Sequence, residues 1–500
     1  MDEKSQKVDP NLNEQPKPIF DSGTHEISQP GPVNATPDLQ PEEVPAEVSN
    51  PEDSFAQSQP AQDVAPSTGF DDNKTKYIIV AGGVVFFLII FFILLSIVFG
   101  GKKAVKQVTL QYWGLWEDKE IMQPLIQEYE AKTPGIKIEY QKMAPQQYLD
   151  KLLARSKNGQ GPDIFRFHNT WLPEIKEVAA PLPTDIMSTA EFDKTFYPVQ
   201  GKDLKIGKFY YGIPLEIDGL VLIYNDDLFR KAGISTPPTN WDEVIDCVTK
   251  LSIKDKDGSL LTSGIALGTA SNIQHFAEIF GIMLLQNGGD LNRLDSTEAS
   301  QALEVYRKFA EAPTDFWNDT MPDSTTAFIE EKAAMIIAPS WVVTNIKAAK
   351  PDLSVKVAKV PGVPGAAQLS IATYWVEGVS RNSKNQIESW KFLKYLSTKE
   401  SMTKLFELES KTRLFGEPYS RVDLGPTLQN HEFLSAVIQQ ADNYASLPLS
   451  ARTYDNGLND DIIKYLENAV NATIQGSGYS EALQTAKQGV SQILSRYKIQ

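Results

Sequence analysis

Glu216 and Asp218 stand two positions apart in "YGIPLEIDGLVLIYN" (211–225), a stretch with the two-residue alternation of a strand, so both carboxylates project from one face. Paired carboxylates can hydrolyse a glycosidic bond, but the pair must flank that bond from two sides. Side chains roughly 7 Å apart along a single strand seldom do so. A lone carboxylate in a pocket is instead a good acceptor for two adjacent sugar hydroxyls. Asp218 therefore reads first as a ligand acceptor, with structural hydrogen bonding and catalysis as the alternatives.

The aromatic residues point the same way. "LQYWGLWED" (110–118) puts Tyr112, Trp113 and Trp116 at the point where a strand pattern gives way to a helical one. Trp171, Trp341 and Trp375 likewise follow strand-like runs or open turns, whereas Trp241 and Trp390 lie on amphipathic helical patterns and read as packing; the pattern leaves Trp317 unassigned. A sugar ring has an apolar C–H face and a belt of hydroxyls. Rings against the face and Asp, Asn or Glu against the belt satisfy both. Trp113, Trp116, Trp341 and Trp375 are the candidate platforms, and "WLPE" makes Trp171 a packing residue.

Other chemistry is poorly represented. There is no HExxH, CxxC or GxSxG, and His25, His168, His275 and His431 stand at unrelated spacings. "GKDLKIGKF" (201–209) has five residues between its glycines and Phe209 where a phosphate loop needs Ser or Thr. "DKDG" (255–258) starts like a calcium loop, but Ala266 stands where the closing glutamate belongs, so it reads as a hairpin turn. Cys247, the single cysteine, falls on the Val244 and Leu251 side of a helix and reads as core. It permits no internal disulfide. No cofactor and no metal are implied.

The elements that must position these residues begin after residue 106. Val108, Leu110 and Tyr112 alternate as a strand, and Met122, Leu125, Ile126 and Tyr129 form a helical stripe whose start Pro124 restricts. Ile136, Ile138 and Tyr140 resume the strand period, a helix follows from Tyr148 to about Lys157, and "PDIFRF" (162–167) is a buried strand. That β-α-β-α-β order implies a mostly parallel sheet with ligands collecting beyond the carboxyl ends of its strands. Farther on, 211–225, "GIALG" (264–268) and "AAMIIA" (333–338) read as strands, and 241–251 and 275–286 as helices.

The first 106 residues differ in kind. Residues 1–76 hold eleven of the 31 prolines and fifteen acidic against five basic side chains, the composition of a disordered acidic spacer. Tyr77–Phe99 carries no charge and is long enough to cross a bilayer as a single transmembrane helix. Lysines 102, 103 and 106 behind it outnumber Lys74 and Lys76 before it, a one-lysine bias toward a cytoplasmic C-terminus. No basic stripe with interleaved aromatics is present, which excludes nucleic acid as a partner.

Taken together, "VTLQYWGLWED", "GPDIFRFHNTWLPE", "YGIPLEIDGLVLIYNDDLF" with "AGISTPPTNWDEV", "AFIEEKAAMIIAPSWVVTNI" and "GVSRNSKNQIESWKFLKYLS" resemble the family 1 extracellular solute-binding proteins, the maltose-binding-protein-like receptors of ABC importers. The resemblance covers about 107–500. It implies an α/β, two-lobe, periplasmic-binding-protein-like (type II) fold with a hinge, preceded here by the transmembrane helix and the tail. The implied division is 1–76 tail, 77–99 helix, 100–106 linker, lobe 1 from 107–217 and 377–436, and lobe 2 from 218–376 and 437–500. The chain would cross between lobes near 216–219, 375–378 and 436–447.

By motif position the resemblance makes Trp116, Glu117, His168, Asn169, Asp218 and Trp341 ligand contacts, and places Thr269 to Asn272, Tyr374, Trp375 and Tyr454 along the cleft. It implies binding without turnover, ABC permease subunits as partners, and a binding domain on the extracytoplasmic side, against the lysine bias. Two features depart from the family: the uncleaved anchor, and Asn169-Thr170 where many sugar binders carry a charged pair. An extracellular sensor or adhesion protein and a receptor for a non-sugar solute are the alternative readings, with a glycoside hydrolase on Glu216 and Asp218 behind them.

Overall fold

The computed structural model describes residues 107–366 and 368–499, together with Ile90. The acidic tail, the linker and, Ile90 aside, the 77–99 segment lie outside the described residues. Among the described residues no helix is long and apolar enough to cross a membrane.

Val108–Gly114 (β1), Lys119–Lys132 (α1), Ile136–Lys142 (β2), Tyr148–Lys157 (α2) and Ile164–His168 (β3) follow in the order that the alternating periods predict. β1 pairs in parallel with both β2 and β3. All five residues of β3 are buried, as a central strand covered on both faces requires. α1 runs through Pro124 rather than starting near it. The proline forfeits one backbone bond, and burial of Met122, Leu125, Ile126 and Tyr129 carries the helix past it.

The stretch 211–225 is not one strand. It divides into Ile213–Pro214 (β4) and Leu220–Asn225 (β5), which belong to different sheets, so Leu215–Gly219 is the segment that passes between them. Beyond β5 come Trp241–Leu251 (α3) and Phe276–Gln286 (α4). Asn240 caps α3 by accepting from Glu243 N at 3.0 Å, while the Glu243 carboxylate accepts from Thr239 N at 2.7 Å. Trp241, Trp390 and Cys247 are buried, as their helical spacing predicts. The 255–258 turn joins two short antiparallel strands, with Asp255 accepting from Asp257 N and Ser259 N. "GIALG" is not a strand: only Ser263, just before it, forms a bridge, to Ala333.

Met335–Pro339 (β6), Val342–Ala349 (α5), Val355–Ala358 (β7), Ser370–Ile371 (β8) and Trp375–Val379 (β9) follow. The first sheet has the order β2-β1-β3-β9-β4, and the second β6-β5-β7. β9 is antiparallel to β3 and β4, so the first sheet is mixed. The reason is topological: β9 arrives from the second sheet's side of the molecule and not through a helical crossover. The second sheet is antiparallel between all its described strands.

Gln386–Leu396 (α6) and Lys399–Glu409 (α7) follow β9, and Tyr444–Ala445 (β10) pairs in parallel with β8. Leu458–Ile474 (α8) and Tyr479–Tyr497 (α9) pack along each other, and α8 also packs against α4. Three passing segments thus lie side by side: Gly219 bridges Ala372, Thr373 N donates to Asp218 O at 2.9 Å, and Ala372 N donates to Ala445 O at 2.9 Å.

Candidate functional site

A cavity of about 420 Å³ opens where the passing segments meet the carboxyl end of β3. Trp116 from the β1–α1 loop, His168 at the end of β3, Asp218 on the first passing segment, Trp341 before α5, Trp375 at the start of β9 and Tyr454 from the C-terminal segment all line it. These are six of the twelve residues expected from the sequence, drawn together from positions up to 338 residues apart. Pro339, Thr344, Asn345 and Thr373 complete much of the wall.

The aromatic surface is built as a cluster. The Trp375 ring meets Trp116 at 5.3 Å, His168 at 5.1 Å and Trp171 at 5.2 Å between centroids, each edge-on. Trp171 is fully buried beneath it, while Trp116 keeps 37% of its surface exposed. Edge-to-face contacts suit the ring quadrupoles and leave ring faces free for a ligand. His168 is fixed by Thr170 Oγ1 at 2.8 Å and Thr373 Oγ1 at 3.0 Å, and burial pushes its imidazole down to about 3, so it is neutral.

Asp218 is buried, and its carboxylate accepts backbone N–H bonds from Gly219 at 2.7 Å, Ser340 at 3.3 Å and Trp341 at 3.4 Å. The last two lie at the N-terminus of α5, where the helix dipole favours negative charge. Burial nevertheless dominates and raises the carboxyl to about 7, with Glu417 adding to the rise. Glu216, weighed above only as a catalytic partner, also lines the cavity.

The other six expected residues do not line it. Trp113 is buried beside Tyr148, with the Lys151 ammonium 5.3 Å from its ring centre. Glu117 is buried in an ion pair with Arg166 at 2.5 Å, and Arg166 also pairs with Glu377 at 2.7 Å. Asn169 donates to Asp203 at 2.9 Å and to Ser446 at 3.1 Å, and the Tyr374 hydroxyl donates to the same Asp203 at 2.8 Å. Asn169 and Tyr374 therefore join passing segments and do not face the cavity. Thr269 and Asn272 turn toward Trp317, whose indole N–H donates to both at 3.0 Å. For Glu117, Asn169, Thr269, Asn272 and Tyr374 a neighbouring side chain takes the polar group, and Trp113 is taken up by packing.

Sequence reasoning missed His275, Arg413, Glu417 and Arg452 on the wall. His275 stands immediately before α4, with Nδ1 3.0 Å from Glu278 and its buried Nε2 unpartnered among the described residues. An N-cap position next to a loop was the one signal available. Arg413 and Glu417 pair at 2.7 Å beyond the end of α7, where no periodicity marks them. The 450–457 loop carries Arg452, Tyr454 and Asn456 at positive φ. It is pinned by Asp455, which accepts from Asn459 N at 2.8 Å, and by Asn459 Nδ2 donating to Thr170 at 2.8 Å. Non-glycine residues held in the left-handed region cluster at ligand clamps.

Residues 124–413, more than half of the chain, match the family of bacterial extracellular solute-binding proteins. The chain belongs to that family. Among related proteins, a binding protein of Brucella abortus is 26% identical over 288 residues, 56% of this chain and 69% of its own. The maltotriose-binding protein of Pyrococcus abyssi is 24% identical over 305 residues, 58% of this chain and 62% of its own. In structure, the sugar-binding protein MalE of Xanthomonas citri superposes with a TM-score of 0.65 at 20% identity, covering 78% of this chain and 98% of that one. A cyclo/maltodextrin-binding protein complexed with maltotetraose gives 0.63 at 22% identity, covering 79% and 99%.

These likenesses establish the two-lobe type II α/β fold for this solute-binding protein. Members of the family bind solutes outside the cytoplasm and are not enzymes, which sets aside hydrolysis on Glu216 and Asp218.

Proposed function

We propose that this solute-binding protein captures a carbohydrate between its lobes and delivers it to an ABC permease. The observation that carries the reading is the cavity itself: Trp116, Trp341 and Trp375 supply apolar surfaces, and the Asp218 carboxylate, already oriented by three backbone N–H groups, supplies an acceptor for vicinal hydroxyls. The relative named for maltotriose and the neighbour solved with maltotetraose support it.

Trp116, His168, Asp218, Trp341, Trp375 and Tyr454 are the proposed contacts. The three adjacent passing segments are the hinge, and closure brings the exposed face of Trp116 onto the ligand. Lobe boundaries at 217/218, 376/377 and 436/437 belong to this proposal. So does the tether: the uncharged 77–99 segment holds the receptor at the membrane, with residues 100–500 on the extracytoplasmic side.

A thermal-shift screen of the full chain in detergent against mono- and oligosaccharides, with tryptophan emission read alongside, tests the reading. A ligand at about a hundred times its Kd should stabilise the fold by roughly 2.7 kcal/mol. A sugar that raises the melting temperature and shifts emission supports it. A folded protein indifferent to every sugar but stabilised by amino acids, polyamines or peptides assigns the cavity to another solute.

A further inference from the structure

Glu117, Glu216 and Glu417 come from three distant parts of the chain, yet each offers a carboxylate oxygen, and these oxygens lie within 4.8 Å of one another. Some point therefore lies within about 2.8 Å of all three oxygens, close to the roughly 2.3–2.6 Å of calcium–oxygen bonds and to the length of an N–H···O bond.

Each carboxylate is braced from outside the cluster. Glu117 Oε2 is held by Arg166, Glu216 Oε1 accepts the Trp375 N–H, and Glu417 Oε1 pairs with Arg413. Glu117 is only 3% exposed, and its Oε1 is buried without a hydrogen-bond partner among the described residues. An ionised oxygen left so is costly and wants a donor or a cation.

The charge count agrees. Glu377 shares Arg166 with Glu117, and Glu409 shares Arg413 with Glu417, so with Glu216 five carboxylates face two guanidinium groups. Burial raises the Glu216, Glu377 and Glu409 carboxyls, so protons balance the two arginines while the subsite is empty, and a cation entering it displaces a proton. Glu216 and Glu417 line the cavity, so the cluster can be reached from the solute's side.

We propose that Glu117, Glu216 and Glu417 form a cation subsite in the cavity wall, filled by a hard divalent metal ion of calcium's size or by the ammonium group of an amino sugar. The metal source needs no sugar; the ammonium source rests on the carbohydrate reading. Beside Trp375, either cation would sit next to the aromatic platform and select among solutes.

The test uses the full chain in detergent, freed of metal with a chelator. Calorimetric titration with Ca²⁺ alone, with Mg²⁺ as the smaller control, is one arm; glucosamine against glucose without metal is the other. Glu216→Gln and Glu417→Gln keep the side-chain shape, and their melting temperatures without cation show whether they remain folded. One Ca²⁺ per chain, weakened about tenfold or more in both variants, establishes the metal source. Glucosamine bound at least about tenfold more tightly than glucose, with the preference lost in both variants, establishes the ammonium source. If neither arm responds, or if the folded variants bind as the wild type does, the subsite does not exist. Ca²⁺ binding without any sugar binding leaves the subsite standing and removes the carbohydrate reading; sugar binding indifferent to cation and charge does the reverse.

Discussion

The backbone N–H of Trp375 donates to the carboxylate of Glu216 at 2.8 Å. An acid on the first passing segment thereby fixes the residue that opens the returning strand, and the indole of that residue is the hub on which Trp116 and His168 rest. In the proposed reading hinge and ligand platform are built from the same residues, so closure would be coupled to binding through short contacts.

Trp116 is the exposed member of that cluster, with 37% of its surface open. Trp116→Ala should cost about 0.5–1.5 kcal/mol of stability, the worth of its edge-on contact with Trp375. It should weaken sugar binding by about 1–2 kcal/mol, roughly tenfold, because a stacking face is lost. Calorimetry and a denaturant melt on one preparation check both; an unchanged affinity would remove Trp116 from the contacts.

Asp218 is raised to about 7 by burial, and its ionised form is the better acceptor for ligand hydroxyls. Sugar affinity should therefore rise as pH increases through about 7 and level off above it. In Asp218→Asn affinity should be lower and flat across that range, since the amide does not titrate. Equal pH dependence in both proteins would place the titrating group elsewhere.

Gly219 sits where the three segments converge. A Cβ there would clash with Ile371 O and come within 2.6 Å of the Tyr444 ring. The obstacle includes backbone, so Gly219→Ala should cost about 1–3 kcal/mol, in the range of overpacked cores. The shift in denaturant midpoint measures it. A neutral result would show that the segments separate easily, and sugar affinity in the variant would then report on the hinge.

The parts legible in the sequence were those with a period or a strand-end position. The β1-α1-β2-α2-β3 order, the burial of Trp390 and Cys247, and the place of Trp116 and Trp341 follow from such signals, whereas Asp218, read on a strand that breaks at 215–219, is placed at the crossing only by the family resemblance. Asn169, Thr269 and Tyr374 sat at suitable strand ends or loops, but Asp203 and Trp317, remote in sequence, turned them inward. Arg413 and Glu417 follow a helix without a pattern, and only tertiary packing brings them to Glu216. The mixed character of the first sheet was hidden for a related reason: β9 reads as any apolar strand, and its direction depends on where the chain returns from.

Glu174 gives the fold a pH dependence separate from the cavity. Its carboxyl accepts Leu458 N at 3.2 Å, and burial, with Asp455 beside it, pushes it up to about 9 from the ordinary value of 4.5. An acid raised on folding holds its proton in the native state after the unfolded chain has released it. Its contribution is thus complete below about 4.5 and is lost as pH rises toward about 9, by at most about 1.4 kcal/mol per pH unit. Asp218, raised to about 7, and Asp203, raised to about 6, act in the same direction over the lower part of that window. His168, lowered to about 3, opposes them below its ordinary 6.5, because there the unfolded chain takes up the proton first. Stability should therefore decline between about pH 7 and 9, but Glu409, raised by burial to about 8, and Glu216, raised by burial well above its ordinary range, also act in this direction there, so the share of Glu174 is read as the difference between the wild type and a variant. Glu174→Gln cannot ionise and keeps an oxygen for Leu458 N, so it should make that decline shallower while leaving the melting temperature near pH 5 almost unchanged. Urea melts of both proteins across this range decide it, and parallel slopes would show that Glu174 is already ionised in the native state.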